Sequence, residues 1–217
     1  MYRRGFAGDT FNTAWYARRL LPDDWTVSYG SCVGEDAVSA EMVAFMEAQG
    51  VDTSTLRRLP DRTVGLYMIS LDKGERSFSY WRGQSAARML ADDLSWLDGI
   101  LKDREMIHFS GITLAILPPD DLETLLAGLL QHKKQGGLLA FDPNIRPHLW
   151  ADKDRMLDVI SRAAGLSDLV LPSFDDETTA FGDRTPQDSA KRYADLGAGH
   201  VVVKNGPADT IHLQDGQ

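Results

Sequence analysis

The chain has 217 residues, of which 43% are hydrophobic and 25% are charged, and its formal net charge is −9. These proportions are typical of a soluble globular protein, and the length allows one large domain or one domain with a small addition. The negative charge argues against broad binding to nucleic acid or anionic membranes, although a few local arginines suffice for a small anionic substrate.

The residue types exclude some kinds of site. Cys32 is the only cysteine, so no disulfide can form within the chain, and a reducing cytoplasm is the expected setting. No apolar run approaches the roughly 20 residues that a membrane helix needs. The histidines are scattered and form no HExxH motif, so we expect no zinc site.

The first predicted element is a helix in the sequence GFAGDTFNTAWYARRLLP (5–22). Asp9 and Thr10 are good N-cap residues, and Pro22 closes the segment. This pattern fits a capped core helix. It also fits a site in which Gly8 lets a ligand approach the backbone, while the start of the helix supplies N–H donors.

Strands alternate with helices along most of the remaining chain. The apolar patterns predict strands at 26–34, 106–111, 138–142, 168–172 and 200–206. They predict helices at 35–50, 118–136, 152–164, 175–181 and 186–196. This alternation predicts an α/β fold with a mainly parallel, doubly wound sheet.

One stretch breaks the alternation. The sequence TVGLYMISLDKGERSFSYWRG (63–83) has the pattern of two antiparallel strands joined by a turn at 72–75. We expect this ribbon to form a β lid beside the sheet. Its side chains Tyr67, Met68, Phe78 and Trp81 need cover on one face, which predicts a homodimer through the lid.

Several groups of residues fall at or near the positions where ligands bind in open α/β sheets, beyond the carboxyl ends of the strands. They are Gly8 and Asp9, Gly34 to Asp36, Asn144 and Arg146, and Lys204 to Gly206. Tyr80 and Arg82 lie at the end of the lid. Arg82 and Arg146 suit a carboxylate, because a guanidinium can bind one through two parallel hydrogen bonds.

Each of these residues also has a plainer interpretation. Arg82 can be a solvated hairpin residue, and Arg146 can pair with Asp142 or with the end of a helix. Tyr67 and Tyr80 can be aromatic residues that pack on the sheet. Lys204 can be a surface charge at the end of a strand.

Together these segments resemble the ribokinase-like (PfkB) family of carbohydrate kinases over essentially the whole chain. The matching segments are GFAGDTFNTAWYARRL, VGLYMI, ERSFSYWRG, HFSGITLAIL, FDPNIRPHLW and VVVKNG. The most specific signals are Y-x-R on the lid and D-x-N-x-R-x-x-L-W after the third strand. Within the family, the chain is most similar to the branch that phosphorylates 2-keto-3-deoxygluconate.

The resemblance implies a ribokinase-like α/β fold whose β lid is also a dimer surface. It implies that ATP, with Mg²⁺, phosphorylates the terminal hydroxyl of the acid sugar 2-keto-3-deoxygluconate and gives the 6-phosphate. The partners it implies are thus this small acid sugar, ATP and a second copy of the chain, with no nucleic acid and no membrane.

The resemblance also implies site residues. Those that would bind the sugar are Gly8, Asp9, Tyr67, Tyr80, Arg82 and Arg146, with Arg146 pairing with its carboxylate. Those that would lie near the nucleotide are Asn144, Lys204 and Gly206. Glu177 matches the acidic end of the family's N-x-x-E motif, which acts through a magnesium-bound water, although Phe174 stands in place of the asparagine.

The sequence departs from the family pattern in one catalytic segment. The family's base lies in a D-T-x-A/G-x-G-D stretch, and no such stretch occurs in the 217 residues. No strand precedes the first predicted helix either. We therefore expect a single ribokinase-like domain, 1–217, truncated at both ends and without a catalytic residue, so that this chain alone is inactive.

Three other functions remain open at this point. The chain can belong to a kinase of another sugar, such as fructose, ribose or a nucleoside. It can also be a non-catalytic remnant that binds sugar or dimerises. A dinucleotide-dependent oxidoreductase is a poor alternative, because no G-x-G-x-x-G follows a strand.

Overall fold

The computed structural model describes residues 4–72 and 75–214. It divides into two compact units, an N-terminal unit that ends at Asp93 and a C-terminal unit that begins at Leu94. Lys73 and Gly74 of the predicted lid turn lie outside the described residues.

The N-terminal unit contains two helices, a parallel pair of strands and an antiparallel ribbon. Its helices are α1 (Asp9–Leu20) and α2 (Ala37–Ala48). Its strands are β1 (Ser31–Gly34), β2 (Leu56–Leu59), β3 (Leu66–Asp72) and β4 (Glu75–Trp81). β1 pairs with β2, and β3 pairs with β4. The core of this unit includes the buried side chains of Phe11, Met46 and Val51.

The strand predicted at 26–34 begins later, at Ser31. Before that point the chain pairs only through an isolated bridge between Ser28 and Asp52. The opposite segment then turns, because the Asp52 carboxylate accepts a hydrogen bond from Ser54 N at 3.0 Å. The turn interrupts the ladder until Leu56 comes opposite Ser31.

The C-terminal unit consists of a five-stranded sheet with helices. Its strands are β5 (Met106–Ser110), β6 (Leu138–Asp142), β7 (Leu169–Val170), β8 (His200–Val203) and β9 (Ile211–Gln214). Its helices are α3 (Leu94–Leu101), α4 (Gly111–Ile116), α5 (Pro119–Lys134), α6 (Lys153–Leu166), α7 (Phe174–Phe181) and α8 (Pro186–Asp195). The α/β fold predicted from the sequence, with a mainly parallel sheet and a small antiparallel ribbon, is confirmed.

The strand order is β5-β6-β7-β8-β9, and β9 alone in this sheet runs antiparallel to its neighbour. The sequence pattern did not predict β9, which returns along β8 after a short turn. The strand predicted at 168–172 is only two residues long as β7, because Pro172 has no N–H to continue the ladder. The carboxyl ends of β5 to β8 lie at one edge of the sheet, and this edge positions the predicted site residues of the unit.

The sheet forms the core of the C-terminal unit. Leu139 and Phe141 of β6, Val170 of β7, and Val201 and Val203 of β8 are fully buried. In β6 the three consecutive residues Leu139, Ala140 and Phe141 are all buried, as is typical of a strand that is covered on both faces. Among the described residues, no helix is long and apolar enough to cross a membrane.

Candidate functional site

Two charged residues connect strand ends at the carboxyl edge of the sheet. Asp142 is the last residue of β6, and Lys204 directly follows β8. Lys204 Nζ lies 2.9 Å from Asp142 Oδ2, so this ion pair spans the short strand β7 that lies between them. The predicted surface charge at Lys204 thus has a specific partner at the edge.

The loop after β6 turns sharply at Asn144. The other oxygen of Asp142 accepts a hydrogen bond from Asn144 N at 3.1 Å, and Asn144 has a left-handed backbone with φ of 33°. Asparagine is one of the few residue types that adopt this conformation readily. The loop passes so close to Gly111 that a Cβ there would lie 1.9 Å from the Pro143 carbonyl oxygen. Gly111, at the start of α4, therefore shapes this loop, although no sequence pattern indicated that contact.

Arg146 extends from the same loop toward α7. Its Nη1 donates to the Ile145 carbonyl oxygen at 2.6 Å and to Asp176 Oδ2 at 3.1 Å, and its side chain is 42% exposed. The proposed pairing with Asp142 is wrong, because Asp142 is engaged by Lys204. The pairing with a helix end is correct, since Asp176 lies in the first turn of α7.

Glu177, the next residue of α7, is fully buried. Its Oε2 accepts hydrogen bonds from Arg192 Nη2 at 2.7 Å and from Tyr193 Oη at 2.8 Å. Its Oε1 is buried and has no hydrogen-bond partner among residues 4–72 and 75–214. Burial raises the pKa of Glu177 to about 7, against the charge of Arg192, which lowers it.

Arg192, on α8, forms ion pairs with Glu177 in the first turn of α7 and with Asp183 just after its end. Besides Glu177, its Nη2 binds Asp183 Oδ2 at 2.7 Å, just beyond the helix, and its guanidinium lies over the rings of Phe181 and Tyr193. Burial lowers the pKa of Arg192, but Asp183, Tyr193 and Glu177 together raise it by more, so the guanidinium stays charged. Glu177 is the more deeply buried of the two, and Arg192 has Asp183 as a second carboxylate partner. The effect of burial therefore prevails at Glu177, and the effect of its partners prevails at Arg192.

Arg192, Tyr193 and Asp183 were not among the site residues predicted from the sequence. The available signal was the acidic first turn of α7, followed one helix later by an arginine next to a tyrosine. The proposed magnesium role of Glu177 stays a prediction. In the described part of the chain, no group of three or more His, Cys, Asp or Glu side chains is placed to hold a metal ion.

Gly206 lies in the turn between β8 and β9, with a positive φ of 55°. The turn is closed by a hydrogen bond from Ala208 N to Asn205 O at 2.9 Å. Glycine adopts such a conformation without strain, so the turn by itself accounts for this residue. Its predicted position near a nucleotide is not tested by this geometry.

In the N-terminal unit, Gly8 is the N-cap of α1, so the prediction of Asp9 or Thr10 as the cap is wrong. The Gly8 carbonyl accepts Asn12 N at 2.8 Å, which starts the helix one residue earlier. A Cβ at Gly8 would meet Phe11 Cβ at 3.6 Å, an ordinary contact. The packing of the described residues therefore does not itself require glycine at this position.

The segment from Gly34 to Asp36 serves helix α2. The Asp36 carboxylate accepts hydrogen bonds from Ser39 Oγ at 2.6 Å, Ser39 N at 3.1 Å and Val38 N at 3.0 Å. The bond from the Ser39 hydroxyl is the main reason that the pKa of Asp36 is lowered to about 2. This carboxylate caps the helix, as its place before α2 suggests.

The lid brings its three predicted residues together. Tyr67 on β3 lies opposite Tyr80 on β4, with 6.2 Å between ring centroids. Arg82 lies over the Tyr80 ring, with Cζ 4.3 Å from the centroid. Side chains alternate between the faces of a ribbon, so Met68 and Trp81 lie on the face opposite Tyr67 and Phe78. The four residues expected to need cover on one face are therefore divided between two.

The predicted site residues thus form separate groups in the two units. In the C-terminal unit, Asn144 and Lys204 both contact Asp142, and Arg146 contacts Asp176. Glu177 is buried next to Asp176 on α7. In the N-terminal unit, Tyr67, Tyr80 and Arg82 form one cluster on the lid, and Gly8 and Asp9 begin α1.

Comparison with known proteins gives one family match, which covers almost all of the chain. A family model described as "pfkB family carbohydrate kinase" matches residues 2–217. A 2-dehydro-3-deoxygluconokinase of Escherichia coli K12 is 37% identical over 208 residues, or 94% of this chain and 67% of the relative. The same-named protein of Haemophilus influenzae is 35% identical over 96% of this chain and 68% of its own. The chain therefore spans about two thirds of the length of these relatives.

Solved structures show the same architecture. A PfkB protein from Polaromonas sp. JS666 superposes with a TM-score of 0.87 at 28% identity, over 96% of this chain and 69% of that one. A fructokinase from Halothermothrix orenii gives a TM-score of 0.82 at 25% identity, over 99% and 73%. An E. coli protein described as a putative ribokinase II in complex with ATP and Mg²⁺ gives a TM-score of 0.78 at 23% identity, over 95% of this chain and 64% of that one. At this identity the likeness shows the fold alone.

Proposed function

The chain belongs to the pfkB family of carbohydrate kinases. We propose that the reaction it serves is the transfer of the γ-phosphate of ATP to 2-keto-3-deoxygluconate. The phosphate goes to the terminal hydroxyl and gives the 6-phosphate. Relatives named as kinases of this acid sugar are 35–37% identical to the chain over 94–96% of its length. The single cysteine, together with a composition typical of soluble globular proteins, also favours a cytoplasmic location.

The observation that carries the proposal is the state of Arg146. One end of its guanidinium is fixed by Ile145 and Asp176, and the side chain is still partly exposed. An arginine held in this way suits a planar carboxylate, which 2-keto-3-deoxygluconate has and fructose or ribose lacks. The acid sugar therefore fits the site better than a neutral sugar does.

The remaining sugar contacts are assigned by the resemblance. Gly8 and Asp9 bind sugar hydroxyls in this proposal, because a residue without a side chain lets a ligand approach the backbone closely. On the lid, Tyr67 and Tyr80 cover the sugar with their rings, and Arg82 supports the Tyr80 ring from which it is 4.3 Å away. Such cover excludes water from the transferred phosphate.

The nucleotide lies at the carboxyl edge of the sheet in this proposal. Asn144 and Gly206 present backbone turns to the phosphates, and Lys204 exchanges Asp142 for a phosphate oxygen. Magnesium, when bound with ATP, neutralises charge on the transferred group. The residues fit an ion held mainly by phosphates and water, because Glu177 Oε1 is an acceptor that lacks a donor among the described residues.

Substrate preference tests the proposed function. A form of the protein that includes the family's D-T-x-A/G-x-G-D segment is assayed with ATP, Mg²⁺ and either 2-keto-3-deoxygluconate, fructose or ribose. We expect kcat/KM to be at least about tenfold higher for the acid sugar, since hydrogen bonds to charged groups contribute about 1.5–3 kcal/mol. Equal turnover of fructose would support a kinase of neutral sugars instead. Binding of sugar without turnover would support the non-catalytic alternative.

We also propose that the protein forms a homodimer through the lid. Leu66 and Trp81 lie opposite each other in the ribbon and are 57% and 56% exposed. Exposed apolar side chains on a two-stranded ribbon favour its association with a second copy of the chain.

Light scattering tests the dimer at micromolar concentration. The unsubstituted chain is expected to be a dimer, and Trp81→Lys a monomer, because the lysine places a charge in the apolar interface. Leu94→Lys is the matched control, since Leu94 is 59% exposed but lies outside the lid. Only monomer in the unsubstituted protein would contradict the proposal.

A further inference from the structure

The guanidinium of Arg146 is held at one nitrogen only. Nη1 carries two hydrogens, and these are directed to the Ile145 carbonyl oxygen at 2.6 Å and to Asp176 Oδ2 at 3.1 Å. Within the two described stretches of chain, Nε and Nη2 of Arg146 make no hydrogen bond. These two nitrogens form an edge that binds a carboxylate through parallel hydrogen bonds.

Asp176 is itself held in place by its neighbours on α7. The backbone N–H of Phe174 donates to the Lys204 carbonyl at 2.8 Å, which joins the start of the helix to the end of β8. Glu177 is fully buried and bonded to Arg192 and Tyr193. Because Asp176 directly precedes Glu177, the buried contacts of Glu177 determine where Asp176 lies.

We propose that Asp176 is a positioning residue that holds Arg146 for the carboxylate of the acid sugar. With Nη1 fixed by Asp176 and Ile145, the edge formed by Nε and Nη2 meets the sugar carboxylate in a set orientation. This role rests on the proposed function, in which Arg146 binds that carboxylate. No ion pair has to break when the sugar arrives, and Asp176 does not touch the substrate.

A different arrangement has the opposite consequence. If the sugar carboxylate displaces Asp176 from Arg146, then Asp176 competes with the substrate, and its removal tightens binding. The sign of the change in affinity therefore separates positioning from competition. The amide of asparagine separates geometry from charge, because its oxygen still accepts a hydrogen bond from Nη1.

The test is calorimetric titration of 2-keto-3-deoxygluconate into Asp176→Ala, Asp176→Asn, Arg146→Met and the Asp176→Ala/Arg146→Met double variant. We expect Asp176→Ala to raise Kd roughly three- to tenfold and Asp176→Asn to change it less than about twofold. On the Arg146→Met background, Asp176→Ala adds nothing, because Asp176 acts only through Arg146. The affinity for ATP stays unchanged.

Two controls exclude a general effect on the helix. Asp175→Ala removes an exposed carboxylate from the same turn and is expected to leave Kd unchanged. Thermal unfolding checks that each variant is folded, and Asp176→Ser replaces the alanine variant if that one does not fold.

Several results would overturn the inference alone. They are tighter binding in both Asp176 variants, an equal loss in Asp175→Ala, or a further loss from Asp176→Ala when Arg146 is already methionine. Two other results would refute more than this inference. If the unsubstituted protein did not bind the acid sugar, the proposed function would be refuted. If Arg146→Met bound it unchanged, the role of Arg146 would be refuted, and either result would also refute the role of Asp176.

Discussion

Replacing Arg146 with methionine is expected to weaken binding of 2-keto-3-deoxygluconate by roughly 10- to 100-fold. A guanidinium contributes charged hydrogen bonds to the sugar carboxylate, each worth about 1.5–3 kcal/mol, and methionine keeps similar bulk without any donor. Fructose has no carboxylate, so its affinity is expected to change by less than about threefold. Calorimetric titration of the two sugars measures both values.

Arg155→Met is the matched control for charge. Arg155 is exposed on α6, and its replacement removes the same charge from the C-terminal unit away from the loop after β6. Its effect on acid-sugar binding is expected to be small, because exposed charges are screened by salt. If Arg155→Met weakened binding as much as Arg146→Met, the effect would come from net charge and not from a specific contact.

The second large effect concerns the buried pair of Glu177 and Arg192. We expect Glu177→Ala to lower the free energy of unfolding by roughly 2–4 kcal/mol at pH 7, since it removes one partner of a buried ion pair and leaves a cavity. Asp183 still pairs with Arg192, which limits the loss. Glu177→Gln keeps an oxygen for Arg192 and Tyr193 and is expected to cost much less. Urea denaturation of both variants measures the difference.

Glu177 is also expected to make the free energy of unfolding depend on pH. Burial raises the pKa of Glu177 to about 7 in the folded protein, so between its ordinary value and pH 7 the folded state holds more protons than the unfolded state. The contribution of this group is therefore fully present at acid pH and is lost as the pH rises through about 7. One pKa unit corresponds to about 1.4 kcal/mol, so the loss is on the order of 1–3 kcal/mol.

Glu177→Gln cannot titrate and serves as the control for this pH dependence. The free energy of unfolding of the unsubstituted protein is expected to fall relative to that of Glu177→Gln between pH 5 and pH 8. Parallel pH profiles for the two proteins would show that the Glu177 carboxyl does not titrate differently in the folded state.

The sequence predicted the arrangement of the sheet well because its signals are local. β6 coincides with the predicted strand at 138–142, and the predicted helix at 186–196 matches α8 to within one residue. Glycines precede β6, and Thr185 and Pro186 begin α8, so both elements have clear boundaries in the sequence. The Y-x-R and D-x-N-x-R-x-x-L-W motifs likewise indicated the family without any structure, and the family match confirms it.

The sequence could not predict contacts that depend on how elements pack. Arg192 and Asp183 join Glu177 only because α8 lies against α7, and no spacing along the chain indicates that partnership. The partner of Arg146 depends in the same way on the position of α7, whereas Asp142 is taken by Lys204 from β8. The cap of α1 was missed for a local reason, because Asp9 and Thr10 are better capping residues than Gly8 but lie inside the first turn.

The central claim is that this site recognises an acid sugar. Calorimetric titration of the purified 217-residue chain with 2-keto-3-deoxygluconate and, in parallel, with fructose tests it without requiring turnover. The account predicts that the acid sugar binds at least about tenfold more tightly, in line with one or more charged hydrogen bonds from Arg146. Equal affinity for the two sugars, or tighter binding of fructose, would contradict it.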